Sequence, residues 1–121
     1  MSHEIGHDRL DNLRDKLREF VAERDWAQFH NPKNLAMALI AEAGELVEHF
    51  QWLTPGQADG LSPEALTEVE HELADVLIFL VELADRLDVD LLAAAERKLQ
   101  LNAEKYPAEK ARGRAIKYNK L

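Results

Sequence analysis

The chain has 121 residues, 46% hydrophobic and 7% aromatic, the size of one domain with little room for a second core. Its formal charge of −8 disfavours a nucleic acid backbone as partner, and no stretch approaches the roughly 20 apolar residues of a membrane span. Zero cysteines exclude disulfides, thiolate metal sites and a cysteine nucleophile, leaving carboxylates and histidines as the strong metal ligands, a set that suits hard cations.

In chain order, the polar, His-rich start from Met1 to Asp8 is unlike a signal sequence, so a cytoplasmic protein is expected. Leu10, Leu13, Leu17, Phe20 and Val21 recur at helical spacing and predict a first amphipathic helix ending near Arg24. An aromatic connector, Asp25 to Asn31, follows. Asn31-Pro32 reads as an N-cap and first helical position, and Leu35, Leu39, Ala43, Leu46, Val47 and Phe50 form the apolar stripe of a second helix ending near Trp52. Thr54 to Gly60 reads as a loop from its Pro, Gly and Asp content, and Ser62-Pro63 repeats the cap-plus-proline signal. Val69, Leu73, Val76, Leu77, Leu80, Ala84 and Leu87 carry the third helix to about Arg86. After the turn Asp88-Val89-Asp90, Leu92, Ala95, Leu99 and Asn102 face inward on a fourth helix that Pro107 stops.

No strand alternation competes, so the expected fold is all-α, a single four-helix-bundle-like domain over residues 1–121, with 1–8 and about 108–121 as flexible or partner-ordered tails. Small helical domains leave apolar surface near their boundary, and a homodimer or homotetramer is the expected way of covering it. The segment from Pro107 to Leu121 is net +4, so the body before it carries −12. That tail reads chiefly as a solvated terminus, with a phosphate-bearing ligand as the weaker alternative.

Two acid pairs stand out. Glu42-Ala43-Gly44-Glu45 lies on the second helix and Glu72-Leu73-Ala74-Asp75 on the third, each pair at i, i+3 and so on one helix face. Both border the apolar stripe, Glu42 one turn before Leu46 and Glu72 one turn before Val76. Four carboxylates crowded at an apolar seam repel one another and lose solvation, so they take up protons or a multivalent cation compensates them. Mg2+ is the economical cation, because it prefers oxygen ligands and commonly binds through a few carboxylates together with substrate phosphates. With 23 acids in the chain, chance pairs at this spacing are common, and either pair alone is a weak signal. Glu48, Glu64, Glu68, Glu70 and Glu82 read as solvated-face residues.

The arrangement Glu42-x-x-Glu45 followed by Glu72-x-x-Asp75 resembles the signature of the MazG-like, all-alpha nucleotide pyrophosphohydrolases. Further strings extend the likeness: Ala22-Glu23-Arg24-Asp25-Trp26, Gln28-Phe29-His30, Pro32, Asn34-Leu35, Phe50-Gln51-Trp52, Asp75-Val76-Leu77-Ile78 and Asn102-x-x-Lys105-Tyr106-Pro107, with Lys117-Tyr118 beyond. They are similar to the dCTP-hydrolysing branch of that family, and the likeness runs from about Leu13 to Tyr118.

The resemblance implies a nucleoside triphosphate substrate, dCTP or a modified dCTP, cleaved to monophosphate and pyrophosphate, with another (d)NTP such as dUTP or a damaged nucleotide as the alternative. Glu42, Glu45, Glu72 and Asp75 would hold Mg2+, with Mn2+ as a possible substitute. Glu42 and Glu45 would serve catalysis, Glu45 nearest the attacking water. Matching positions offer Lys98, Asn102 and Lys105 to the polyphosphate, with Lys117 and Tyr118 from the tail. The resemblance also implies active sites formed where subunits pack.

A planar base is usually held by aromatic stacking and a few edge hydrogen bonds, for which this sequence offers Trp26, Phe29, His30, Asn34, Trp52 and Phe79. Neither Trp26, after Arg24-Asp25, nor Trp52, beside a polar loop, is at a core position, whereas Phe29 and Phe79 are equally suited to core packing. The chain departs from the vertebrate pattern at Phe79, where Tyr stands, and at Leu17, where His stands. Losing a hydroxyl and an imidazole near the pocket puts base and sugar selectivity in doubt. Two rivals remain: a di-iron or di-manganese oxidase, for which the chain offers one Glu-x-x-His motif, Glu68 to His71, and a noncatalytic helical scaffold.

Overall fold

A computed structural model describes residues 5–121, with side chains from Arg9 onward; of the expected amino-terminal tail, 1–8, residues 1–4 lie outside the described residues and 5–8 open the first helix. The structure is helical, with no strand among the described residues. In the first compact unit, which ends at Asp88, α1 runs Ile5–Glu23, α2 Pro32–Glu48, α3 Pro55–Asp59 and α4 Pro63–Arg86. In the second, from Val89, α5 runs Leu91–Lys105 and α6 Ala108–Ala111, followed by a 3-10 turn at Tyr118–Lys120. The four long helices match those predicted, while the expected carboxyl-terminal tail carries α6 and the 3-10 turn.

The helix starts follow from their caps. The side chain of Asn31 accepts from the Asn34 backbone N–H at 2.9 Å, ahead of Pro32. Ser62 accepts from Ala65 at 3.2 Å, ahead of Pro63, and Asp90 from Ala93 at 3.1 Å. Each satisfies one of the donors that a helix start leaves free. α1 ends where Asp25 takes a positive φ of 55° and the Trp26 N–H reaches back to the Val21 carbonyl at 3.0 Å, a left-handed C-terminal closure that aspartate tolerates.

Two boundaries differ from expectation. α2 stops at Glu48, and turns carry the chain on to Trp52. The expected loop from Thr54 contains α3, whose start is closed by a capping box: Thr54 accepts from Gln57 N–H, and the Gln57 side chain accepts from Thr54 N–H.

Within the first unit α2 packs along α4, and α1 lies against α4 more lightly. Leu35, Val69, Val81 and Ala84 are the buried hydrophobic residues among those described, and of these Leu35 is fully buried. Several positions of the predicted inward stripes are exposed: Phe20, Val47, Leu73, Leu77, Leu87 and Leu99, and Ala95. Ile40, at 71% exposure, and Met37 join them on α2. These stripes are wider than the surface the chain itself covers.

Candidate functional site

α2 and α4 bring three carboxylates together. One oxygen from each of Glu42, Glu45 and Glu72 lies within 4.8 Å of the others. The backbone dictates this: Glu42 and Glu45 are one turn apart on one helix, and the helix packed against it presents Glu72. Glu42 and Glu72 are half-buried, Glu45 is exposed, and Glu42 Oε2 and Glu72 Oε2 are buried without a hydrogen-bond partner. Asp75 stands one turn along α4 from Glu72 and is outside the set of three converging oxygens.

Crowding shows in the electrostatics. The Glu42 carboxyl is pushed up to about 7, first by desolvation, then by its hydrogen bond with and the charge of Glu45, and then by the charges of Asp75 and Glu72. Asp75 therefore belongs to the same electrostatic cluster. A cation there would satisfy the two orphaned oxygens and relieve the repulsion, so the donor set fits a hard divalent ion.

Beside the acids stands a histidine that the sequence reading passed over. His49 Nε2 is 3.8 Å from Glu72 Oε1, and its Nδ1 is 3.8 Å from Glu68 Oε2. It lies four residues beyond Glu45 and seven beyond Glu42, the helical spacing that could have flagged it. His71, of the Glu68-x-x-His71 motif, is exposed, and so is Glu68.

The aromatic connector is held by its own hydrogen bonds. Gln28 Nε2 donates to the Asp25 carbonyl at 3.0 Å, and Asn34 Nδ2 donates to the Phe29 carbonyl at 3.0 Å, so Asn34 braces the turn. Trp26 packs edge-on to Phe20 at 5.7 Å and lies 6.0 Å from the His30 ring. Phe29 is exposed and Phe79 half-buried, while Trp52 is 86% exposed. Phe79 falls seven residues after Glu72 and hence on the same side of α4.

His30 faces Glu82 rather than the acid cluster, with Nδ1 3.6 Å from Oε2, and neither atom has a hydrogen-bond partner. Glu82, read from sequence as a solvated-face residue, has only 10% of its side chain exposed. Period alone could have placed it, since it follows Phe79 by three residues and Asp75 by seven. Burial pushes its carboxyl up, against the opposing pull of His30. Both side chains line a cavity of about 200 Å3 within the first unit.

In the second unit, Lys98 is exposed and Asn102 half-buried, one turn apart on α5. Lys105 Nζ is 5.1 Å from the centre of the Tyr118 ring, and Tyr118 meets Tyr106 edge-on at 6.1 Å. Lys117 is exposed.

Known proteins resemble this chain over most of its length. The description of the MazG-like family matches residues 38–121, a span that contains all four acids. The chain is 48% identical to dCTP pyrophosphatase 1 of Homo sapiens over 114 residues, 93% of this chain and 67% of that protein. It is 46% identical to dCTP pyrophosphatase 1 of Bos taurus over 115 residues, 93% and 68% of the two. Among solved structures it is similar to a pyrophosphatase from Archaeoglobus fulgidus, with a TM-score of 0.74 and 41% identity, covering 82% of this chain and 93% of the other. With the acid pairs on two packed helices and these likenesses over most of its length, the chain belongs to the MazG-like family.

Proposed function

We propose that this protein is a nucleotide pyrophosphohydrolase that cleaves dCTP, or a modified dCTP, to the monophosphate and pyrophosphate with Mg2+ as cofactor. The observation that carries the reading is the convergence of Glu42, Glu45 and Glu72, with two buried carboxylate oxygens left without partners. A purely solubilising role gives no reason for acids to be desolvated against one another. The substrate is taken from the relatives named dCTP pyrophosphatase 1.

Glu42, Glu45, Glu72 and Asp75 would hold the cation, and Mn2+ would suit the same oxygens. When bound, it supplies charge neutralisation on the phosphate oxygens and lowers the pKa of water. Glu45, the exposed member, would orient the attacking water and accept its proton, for in-line displacement at the α phosphorus with pyrophosphate leaving. Glu42, whose carboxyl is pushed up by crowding, would be held as a carboxylate by the cation and would serve catalysis beside Glu45. Lys98, Asn102, Lys105, Lys117 and Tyr118 are offered to the polyphosphate, and Trp26, Phe29, His30, Trp52 and Phe79 to the base. Asn34 acts through the turn it braces. A protein working on free nucleotides would act in the cytoplasm. No described helix is long and apolar enough to cross a membrane, and the charge of −8 argues against nucleic acid as partner.

The residues form one functional domain in this reading, and the exposed faces support a homodimer or homotetramer. Ile40, Met37 and Val47 on α2, with Leu66, Leu73 and Leu77 on α4, are exposed apolar side chains of the kind that subunit contacts cover. Light scattering should give a mass of two or four chains, and a monomer would remove this part of the proposal. The function itself is tested by assaying canonical and modified (d)NTPs with magnesium while separating pyrophosphate from orthophosphate. Pyrophosphate release with cytidine preference is expected. Turnover favouring another base would discard the substrate assignment, and absence of turnover would discard the function.

A further inference from the structure

We infer that His49 is a positioning residue for the acid cluster: its imidazole holds one oxygen of the Glu72 carboxylate and so turns the other toward the cation. The assignment rests on the proposed metal site. It goes beyond that site in giving a role to a residue outside the four acids.

The backbone fixes where the ring stands. His49 closes α2 with helical dihedrals, φ −71° and ψ −18°, and its N–H is bonded back to the Leu46 and Val47 carbonyls, so the side chain projects from an anchored point. Positions 42, 45 and 49 return to one side of the helix. α2 packs along α4, on which Glu68 and Glu72 are one turn apart. The imidazole therefore meets that α4 pair, with Nε2 3.8 Å from Glu72 Oε1 and Nδ1 3.8 Å from Glu68 Oε2. Glu72 keeps 19% of its side chain exposed, His49 24% and Glu68 69%, so one nitrogen faces a sheltered carboxylate and the other a solvated one.

The two oxygens of Glu72 have different surroundings. Oε1 is the one that His49 approaches, whereas Oε2 is buried without a hydrogen-bond partner. Glu42 is steadied by its hydrogen bond with Glu45 on the same helix. Glu72 comes from the opposite helix, and the donor beside it is the imidazole. A flexible carboxylate held in this way loses less rotamer freedom when it binds a cation, and the donor decides which oxygen is presented.

The geometry favours positioning over ligation. The ligand atoms that converge within 4.8 Å belong to Glu42, Glu45 and Glu72, and His49 is outside that set. A separation of 3.8 Å is longer than a hydrogen bond, and a small rotation of either side chain closes it, as contacts in ligand-free sites tighten on binding. The N–H on Nε2 is present in the imidazolium and in one neutral tautomer alike, so the contact does not depend on the charge of the ring.

The test is the affinity of the metal-free chain for Mn2+ alone, read from the free-ion signal in electron paramagnetic resonance. His49→Leu should weaken binding by about tenfold, the lower end of the roughly 10–100-fold that outer partners of metal ligands contribute. A glutamine amide reaches the place of Nε2 and an asparagine amide that of Nδ1, so His49→Gln should restore the affinity and His49→Asn should not. A ring that only supports the fold gives no reason for the two amides to differ. Unchanged affinity in His49→Leu overturns the inference, as does an equal effect of glutamine and asparagine. Glu72→Gln separates the two levels: if it binds Mn2+ as tightly as the wild type, the metal site falls and the inference with it, whereas weakened binding there and none in His49→Leu sinks the inference alone. In turnover, His49→Leu should need more magnesium for its half-maximal rate and recover kcat at saturation; a kcat that stays low would overturn the positioning role. Pulsed resonance of bound Mn2+ should show no directly ligated nitrogen, and such a coupling, lost in His49→Leu, would make His49 a ligand instead.

Discussion

Replacing Glu42 with glutamine should move stability and activity in opposite directions. In the metal-free protein the Glu42 carboxyl is raised from its ordinary 4.5 to about 7, chiefly by desolvation and then by Glu45, Asp75 and Glu72. A carboxyl whose folded value exceeds its unfolded one destabilises the fold in its charged form. The cost is therefore absent below pH 4.5, grows between 4.5 and about 7, and is constant above that window. At ~1.4 kcal/mol per tenfold, the whole interval corresponds to about 3 kcal/mol. Glu42 is only half-buried and Glu45 is exposed, so solvent screening lowers the expected cost to about 1–2 kcal/mol.

Glu42→Gln removes that charge and keeps the shape. In chelator near pH 8 the variant should melt roughly 3–10 °C above the wild type, on the size scaling of small domains. The difference should vanish as the pH falls to 4.5, and turnover should be lost. The assay is thermal melting across this pH range, first in chelator and then with magnesium. Magnesium should raise the wild type more than the variant, since a ligand that binds only the folded chain stabilises it. A variant less stable than the wild type near pH 8 in chelator would refute the reasoning, because Glu42 would then be making favourable contacts rather than enduring crowding.

Glu45→Gln and Asp75→Asn should each abolish turnover with melting temperatures within a few degrees of the wild type, and near wild-type kcat in either would remove that residue from the metal set. Trp52→Ala, at a side chain 86% exposed, should raise KM more than it lowers kcat and leave stability unchanged; steady-state kinetics with the opposite split would assign Trp52 to chemistry or folding.

The long helices were legible because their signals are local. Asn31-Pro32 and Ser62-Pro63 announce α2 and α4, and the structure puts a cap hydrogen bond at each. α3 was hidden because proline and glycine within seven residues read as a loop, although Thr54 and Gln57 at capping-box spacing were in view. At the acids, helix period placed Glu42 beside Glu45, but only packing of α2 on α4 could add Glu72 and leave Asp75 at the margin. Glu82 was misread because charge was taken as a sign of exposure. It shares the side of α4 that carries Asp75 and Phe79, where His30, fifty-two residues earlier, turns back to meet it. The inward stripes were read correctly as apolar, but period cannot say whether the same chain covers Leu73 and Leu77.

The thin core has a consequence for how much of this protein a cell holds. With four hydrophobic residues buried among those described, the folded state draws an unusually large share of its free energy from whatever binds it. A ligand at a hundred times its dissociation constant contributes about 2.7 kcal/mol by mass action, enough to lower the unfolded fraction exposed to proteases by about a hundredfold. Scarcity of its ligands would then shorten the lifetime of the chain, and abundance of them would lengthen it, so that the amount of protein follows the supply of what it binds without any change in its synthesis.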